Sequence, residues 1–291
     1  METYQRPPDA GGRTDRRAGL PAVALAGACH PGPVAAVTAL ATALAATAGQ
    51  SALRCVLAGA AVLTGQLSVG WSNDAVDARR DARTGRRDKP VASGRVSEEA
   101  VWRAAFTAGA LCVPLSLACG PMAGVVHLTG VASAWAYNLR LKSTAWSWLP
   151  YAVGFASLPA FVALGLPGRP WPAWWAVTAG ALLGIGAHLA DVLPDIGHDL
   201  RTGVRGLPQR LGTRGTRRCL PVPLVAATAV LALGPGGAAD AAGQVAVAVA
   251  ASAALSGAAL DRRWGRAPFA AAVVVAALDV GLLLVRGSGL V

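Results

Sequence analysis

Apolar stretches near the length of a bilayer crossing follow one another along this chain, and no other feature limits its fold as much. A backbone inside hydrocarbon must satisfy its own N–H and C=O groups, so only helices or closed barrels span a membrane. The stretches are about twice as long as a spanning strand needs, which selects helices. We assign them to residues 21–48, 51–72, 98–118, 121–139, 145–166, 171–193, 218–235, 241–260 and 267–286. The expected fold is all-α: a polytopic membrane helical bundle of about nine transmembrane helices, in two pseudo-repeated four-helix halves plus one. Within the first stretch, His30-Pro31-Gly32-Pro33 predicts a half-helix, a kink and then the spanning part. Composition agrees, with 54% of residues hydrophobic and only 14% charged. Residues 1–20 are polar and basic and are expected to form a disordered cytoplasmic tail. They do not resemble a cleavable signal peptide. Residues 21–291 form the integral membrane domain.

A formal net charge of +11 invites a nucleic-acid reading, but the distribution of charge argues against one. With the N-terminus placed in the cytoplasm, all but three of the 26 Lys and Arg residues fall on the cytoplasmic side; Arg54, Arg169 and Arg286 are the exceptions. That is the positive-inside bias of a multi-pass cell-membrane protein. It also suits an anionic substrate approaching from the cytoplasmic leaflet. Trp71, Trp102, Trp135, Trp146 and Trp148 fit one interface belt, and Trp171, Trp174 and Trp175 the other. The five cysteines form no CxxC pair and read as small buried thiols.

Two acidic clusters interrupt this apolar pattern. Asn73, Asp77 and Asp81 form one, and Asp191, Asp195 and Asp199 the other. A spacing of four stacks side chains on one face of a helix. Carboxylates placed so closely repel unless a cation sits among them. An oxygen-only donor set suits a hard divalent ion, and Mg²⁺ commonly works by gripping substrate phosphates. Pro194 breaks a regular helix at or before Leu193, so Asp191 and Asp195 are not expected to share one continuous helix. Each cluster leads into a basic, glycine-bearing loop, Arg83-Thr84-Gly85-Arg86-Arg87 and Arg201-Thr202-Gly203-Val204-Arg205-Gly206. Such loops read as a lid on the cytoplasmic face.

Asn73, Asp74, Asp77 and Asp81 match the pattern NDxxDxxxD, and Asp191, Asp195 and Asp199 match DxxxDxxxD. Downstream lie Lys89-Pro90-Val91-Ala92-Ser93-Gly94-Arg95 after the first, and Leu207-Pro208 with Leu211-Gly212 after the second. Tyr137 precedes Leu141-Lys142 at the end of the fourth segment. Together these motifs resemble the UbiA superfamily of intramembrane prenyltransferases. The usual Arg of the first continuation is Lys89 here. The resemblance implies Mg²⁺-dependent transfer of a prenyl group from a prenyl diphosphate to an aromatic or other lipophilic acceptor, by way of an allylic cation within the membrane. It implies Asn73, Asp77, Asp81, Asp191, Asp195 and Asp199 as metal ligands. Asp77, Asp81, Asp195 and Asp199 would be the catalytic acids, with Lys142, Tyr137, Lys89 and Arg201 on the diphosphate. Asp74 and His188 would support the ligands from behind. A membrane terpene cyclase would need the same motifs. An ion or metal transporter is disfavoured, because the acids crowd one face and the spans supply no polar path. His188 shares a helix face with Asp191, His198 lies beside the second cluster, and Asp279 falls mid-span, where it needs a proton or a polar partner.

Overall fold

The computed structural model describes residues 21–86, 88–236, 240–261, 263 and 266–290. The expected tail of residues 1–20 lies outside them. Every described element is helical: α1 Pro21–Ala28, α2 Pro31–Thr47, α3 Ala52–Arg83, α4 Glu98–Ala118, α5 Pro121–Leu139, α6 Leu149–Leu164, α7 Trp174–Val192, α8 Ile196–Arg201, α9 Leu207–Cys219, α10 Pro221–Leu233, α11 Ala241–Leu260 and α12 Ala267–Val285. Two 3₁₀ turns complete the list: Leu141–Ser143, which joins α5 to α6, and Gly287–Gly289 after α12.

Local chemistry sets these boundaries. Prolines open α2, α5, α9, α10 and α12, where a missing N–H costs nothing. Ser97 caps α4 by accepting the Ala100 N–H at 3.2 Å, with Glu98 and Glu99 in the first turn at the positive end of the helix dipole. Asp240 caps α11 in the same way through the Gly243 N–H at 2.8 Å.

Each of the nine apolar segments contains a helix, but not every one qualifies as a span. Five helices, α3, α4, α7, α11 and α12, are long and apolar enough to cross a membrane. The number rises to seven if the bent pairs α1–α2 and α9–α10 each count as one. By length and composition the described helices thus offer five to seven candidate spans, and this measure does not reach the expected nine. α6 has only 16 residues, and α5 carries His127, Tyr137 and Asn138 among its apolar side chains. The kink at His30 is present, with α1 and α2 meeting at 67°. Amphipathic α9 is an addition, since its Arg-rich face hides it from a hydropathy reading.

Neighbours in sequence pack against each other: α2 on α3, α3 on α4, α4 on α5, α5 on α6, α6 on α7, α7 on α10, and α10 on α11 and α12. α12 returns to touch α2 and α7. Lipid tails are as apolar as Leu, so close fit holds such helices together, and small residues permit it. Ala41, Ala45, Ala58, Ala61, Ala123, Ala176 and Ala179 are fully or almost fully buried in one core. Gly180 and Gly184 present a bare stripe of α7 to the carbonyls of Phe155 and Tyr151 on α6. Trp175 departs from its expected place in an interface belt. It is buried at 4% exposure, packed where Gly234 leaves no side chain. Asp279 is fully buried and accepts the Thr228 hydroxyl of α10 at 2.5 Å, which supplies the polar partner expected of it.

A Cβ at position 184 would lie 2.2 Å from the Tyr151 carbonyl oxygen. Gly184→Ala should therefore push α6 from α7 and cost about 1–3 kcal/mol. A thermal melt in detergent should show a midpoint lowered by several degrees, while Gly154→Ala, which meets open space, should melt like the parent.

Candidate active site

α3 runs unbroken through the first acidic cluster to Arg83, so Asn73, Asp77 and Asp81 lie one turn apart on one face, as their spacing predicts. Asp77 and Asp81 are buried, and Asn73 is half-buried. The Asn73 amide donates to Asn138 Oδ1 on α5 at 3.0 Å. Asn138 in turn donates to the Val69 carbonyl at 2.9 Å and to the Ser72 hydroxyl at 2.8 Å. Because the Val69 carbonyl can only accept, Asn138 must point its oxygen at Asn73. The Asn73 oxygen is thereby left free for another partner.

Counter-charges hold the two carboxylates. The Lys142 ammonium, on the 3₁₀ turn after α5, pairs with Asp77 Oδ1. Arg80 donates to Asp77 Oδ2 at 2.6 Å and reaches Asp81 at 3.8 Å. Burial pushes the Lys142 ammonium below its ordinary pKa, although Asp77 acts the other way.

The second cluster is built differently. α7 stops at Val192, Pro194 falls in the break, and Asp195 occupies the N-cap position of the short α8. Asp191 and Asp195 are consequently not on one continuous helix, as the proline foretold. Asp191 is exposed and accepts the Tyr151 hydroxyl at 2.7 Å. Asp195 is also exposed, whereas Asp199 is half-buried and accepts from Gln209 Nε2 at 2.7 Å. Burial raises the Asp199 pKa and the Gln209 hydrogen bond opposes that; the net direction is upward.

The loops bring the clusters together. After α3, Gly85 takes a φ of 71°, which a side chain would disfavour, and the chain turns back. Arg86 then reaches Asp195 at 3.6 Å. It also donates to Asp88 at 2.9–3.2 Å, which holds that carboxyl below its usual pKa. Thr84 Oγ1 meets His198 Nε2 at 3.5 Å. From the other side, Gly206 lies so close to Lys142 that a Cβ would sit 2.6 Å from its carbonyl oxygen. Ser147 accepts the Leu207 N–H at 2.9 Å and shares a hydrogen bond with His188 Nε2 at 3.0 Å. Between the two edges lie stacked aromatic rings. Tyr137 packs edge-on against Tyr151 and His188, with centroids at 5.2 and 5.7 Å. Asp77, Asp191 and Asp199 all lie within electrostatic reach of the Tyr137 hydroxyl.

Besides Lys142, two more of the expected diphosphate contacts have protein partners. Lys89 bonds to Asp74 at 3.0 Å and to His30 at 3.1 Å, serving as the counter-ion of an almost fully buried acid. Arg201 folds back on the Gly197 carbonyl at 3.2 Å and is exposed. His188 reaches Asp191 only through Tyr151. Asn138, Tyr151, Gln209, Ser147, Arg80 and Arg86 were not anticipated. Tyr151 follows a proline in an apolar segment, and Gln209 sits inside the Leu207-Pro208 motif, but no spacing along the chain connects either to a carboxylate. Among the described residues, no three His, Cys, Asp or Glu side chains converge into a ready coordination sphere. Asp77, Asp81 and Asp195 are instead paired with Lys142, Arg80 and Arg86, while Asp191 and Asp199 accept from Tyr151 and Gln209.

Comparison with known proteins agrees with this architecture. The profile of the UbiA prenyltransferase family matches residues 34–278. The 33 kDa chain of bacteriochlorophyll synthase from Cereibacter sphaeroides is 34% identical over 166 residues, which is 52% of this chain and 53% of that protein. The match thus spans about half the length of that relative. Among solved structures, a UbiA homolog from Archaeoglobus fulgidus bound to GPP and Mg²⁺ superimposes with a TM-score of 0.66 at 15% identity, covering 90% of this chain and 99% of that one. The apo structure of a UbiA homolog from Aeropyrum pernix K1 gives 0.61 at 19% identity, with 93% and 97% covered. At those identities the likeness concerns the fold. With the family profile spanning most of its length, this chain belongs to the UbiA prenyltransferase family.

Proposed function

We propose that the chain transfers a prenyl group from a prenyl diphosphate to an aromatic or other lipophilic acceptor within the membrane, with Mg²⁺ as cofactor. The observation carrying this reading is the contact between the two clusters, through Arg86 with Asp195 and Thr84 with His198. Residues far apart in sequence thereby meet at one end of the bundle. Archaeoglobus fulgidus homologs with the same fold have been solved with GPP or DMAPP and Mg²⁺.

The donor set suits that ion. It is oxygen only, which a hard divalent cation prefers. The Asn73 carboxamide oxygen is left free, and Asp191 and Asp195 are exposed carboxylates. Asn73, Asp77 and Asp81 would hold one ion, and Asp191, Asp195 and Asp199 another. The chemistry a bound Mg²⁺ supplies is neutralisation of the charge that develops on the departing diphosphate. Lys142, Arg80 and Arg86 already stand among the acids and offer N–H donors to diphosphate oxygens as the allylic C–O bond ionises. Tyr137 lies between the two edges, where its hydroxyl can add a further donor. The Tyr137 and Tyr151 rings give the carbocation an aromatic wall and keep water from it. Lys89 acts at a distance by holding Asp74, and Arg201, bonded to Gly197 through Nε, keeps its terminal N–H groups for a diphosphate oxygen.

Residues 21–291 would form one catalytic membrane domain with the clusters on the cytoplasmic face, and with nine crossings once α5 and α6 are counted beside the seven that pass by length and composition. The 23-residue majority of cations at that end is what supports the orientation.

Asp77→Ala and Asp195→Ala should each lower Mg²⁺-dependent pyrophosphate release from a labelled prenyl diphosphate by about 10²–10³-fold. Near-normal release by either variant would overturn the assignment of the clusters. Mass spectra of products made without an acceptor separate transfer, which gives none, from cyclisation. Asn138→Leu should free the Asn73 side chain and raise the Mg²⁺ concentration for half-maximal turnover by about 10–100-fold. A titration in detergent at saturating donor measures this.

A further inference from the structure

A cavity with a volume of about 410 Å³ lies at the other end of α3, away from the acidic clusters. Arg54, in the first turn of α3, and Arg169, in the loop between α6 and α7, both line it. At 1.5 Å per residue, Arg54 is about 40 Å from Asp81 along the helix. These are two of the three cations that depart from the charge bias of the chain. The third, Arg286, is paired with Asp240 at 2.8 Å. Arg54 and Arg169 have no carboxylate at ion-pair distance among the described residues, and no acid lines the cavity.

Both guanidiniums are placed at a cost. A cation in the first turn of a helix opposes the helix dipole. Arg54 is nevertheless held there, donating to the Gly165 carbonyl at 2.6 Å, which leaves its other N–H groups for a ligand. Arg169 adopts a left-handed φ of 50°, uncommon outside glycine. The 19-residue helix α5 opens into the same cavity. Its N-cap is Gly120, without a capping side chain, and its first residue is Pro121, without an N–H. The N–H groups of Met122 and Ala123 therefore have no intrahelical acceptor. Leu53, Leu117 and Met122 are exposed apolar side chains at this end.

We infer that this cavity binds a phosphate-bearing anionic group, and that the group is the headgroup of an anionic membrane lipid in the leaflet opposite the acidic clusters. Two unpaired guanidiniums and an uncapped helix start suit a phosphate. The apolar rim suits acyl chains and would do nothing for a soluble anion. The site is independent of the catalytic reading.

The test is thermal unfolding in nanodiscs of phosphatidylcholine with or without phosphatidylglycerol. The parent, Arg54→Gln/Arg169→Gln, Arg169→Gln alone, and Arg214→Gln/Arg218→Gln as a charge-matched control should be compared. Phosphatidylglycerol should raise the midpoint of the parent and the control by several degrees. That rise should vanish in the double variant and shrink in Arg169→Gln, which keeps the Arg54 bond to Gly165. Native mass spectrometry should show retained phosphatidylglycerol adducts lost in step. An equal rise in all four proteins would overturn the site. A rise produced in phosphatidylcholine discs by inorganic phosphate alone, and lost in the double variant, would overturn the lipid source and assign the cavity to a soluble anion.

Discussion

A carboxylate withdrawn from water needs a counter-charge, and much of the polar structure at one end of this bundle follows from that need. Buried Asp77 is met by Lys142 and Arg80 and buried Asp74 by Lys89, and Arg86 adds a pair with the exposed Asp195. Each pair does more than neutralise. Lys142 ties the α5–α6 turn to α3. Lys89 ties the loop after α3 back to the α1–α2 kink at His30. Arg86 draws the loop after the first cluster onto the second. Basic residues that mark topology in the sequence thus become the cross-links of a polar end.

The pairs form because the helices beneath them approach closely. Gly180 and Gly184 set α7 directly on α6, and that places Tyr151 within 2.7 Å of Asp191. Gly70 lies against the Cys29 carbonyl, where a Cβ would sit 2.1 Å away, so the α1–α2 kink rests on α3 just before the first cluster. Packing of small residues in the apolar layer therefore controls the reach of the polar groups above it. Neutral hydrogen bonds complete the arrangement, with Asn138 orienting Asn73 and Ser147 bridging Leu207 to His188.

The opposite end of the bundle has a sparser chemistry. Few cations lie there, and Arg54 and Arg169, which meet no carboxylate among the described residues, line a cavity. One end is rich in ion-paired charge, and the other holds two arginines without a counter-charge.

Sequence alone was enough for whatever depends on the periodicity of a single helix. The apolar segments, the kink at His30, the stripe of Asn73, Asp77 and Asp81, and the break at Pro194 all follow from local rules. Fewer helices pass as spans by length and composition than there are apolar segments, because a segment such as 145–166 contains a helix of only 16 residues. Trp175 read as an interface residue because its flanking tryptophans do, while Gly234 on another helix decided its burial. Likewise, Lys89 could not be separated from Lys142 by position: both are lone lysines after an apolar helix. Which carboxylate each one meets was decided by the packing of α1, α3 and α5, as was the choice of Asn138, Tyr151 and Gln209 as partners. Residue spacing determines what shares a face on one helix, whereas an ion pair or hydrogen bond between helices depends on interaxial distances that only the assembled bundle sets.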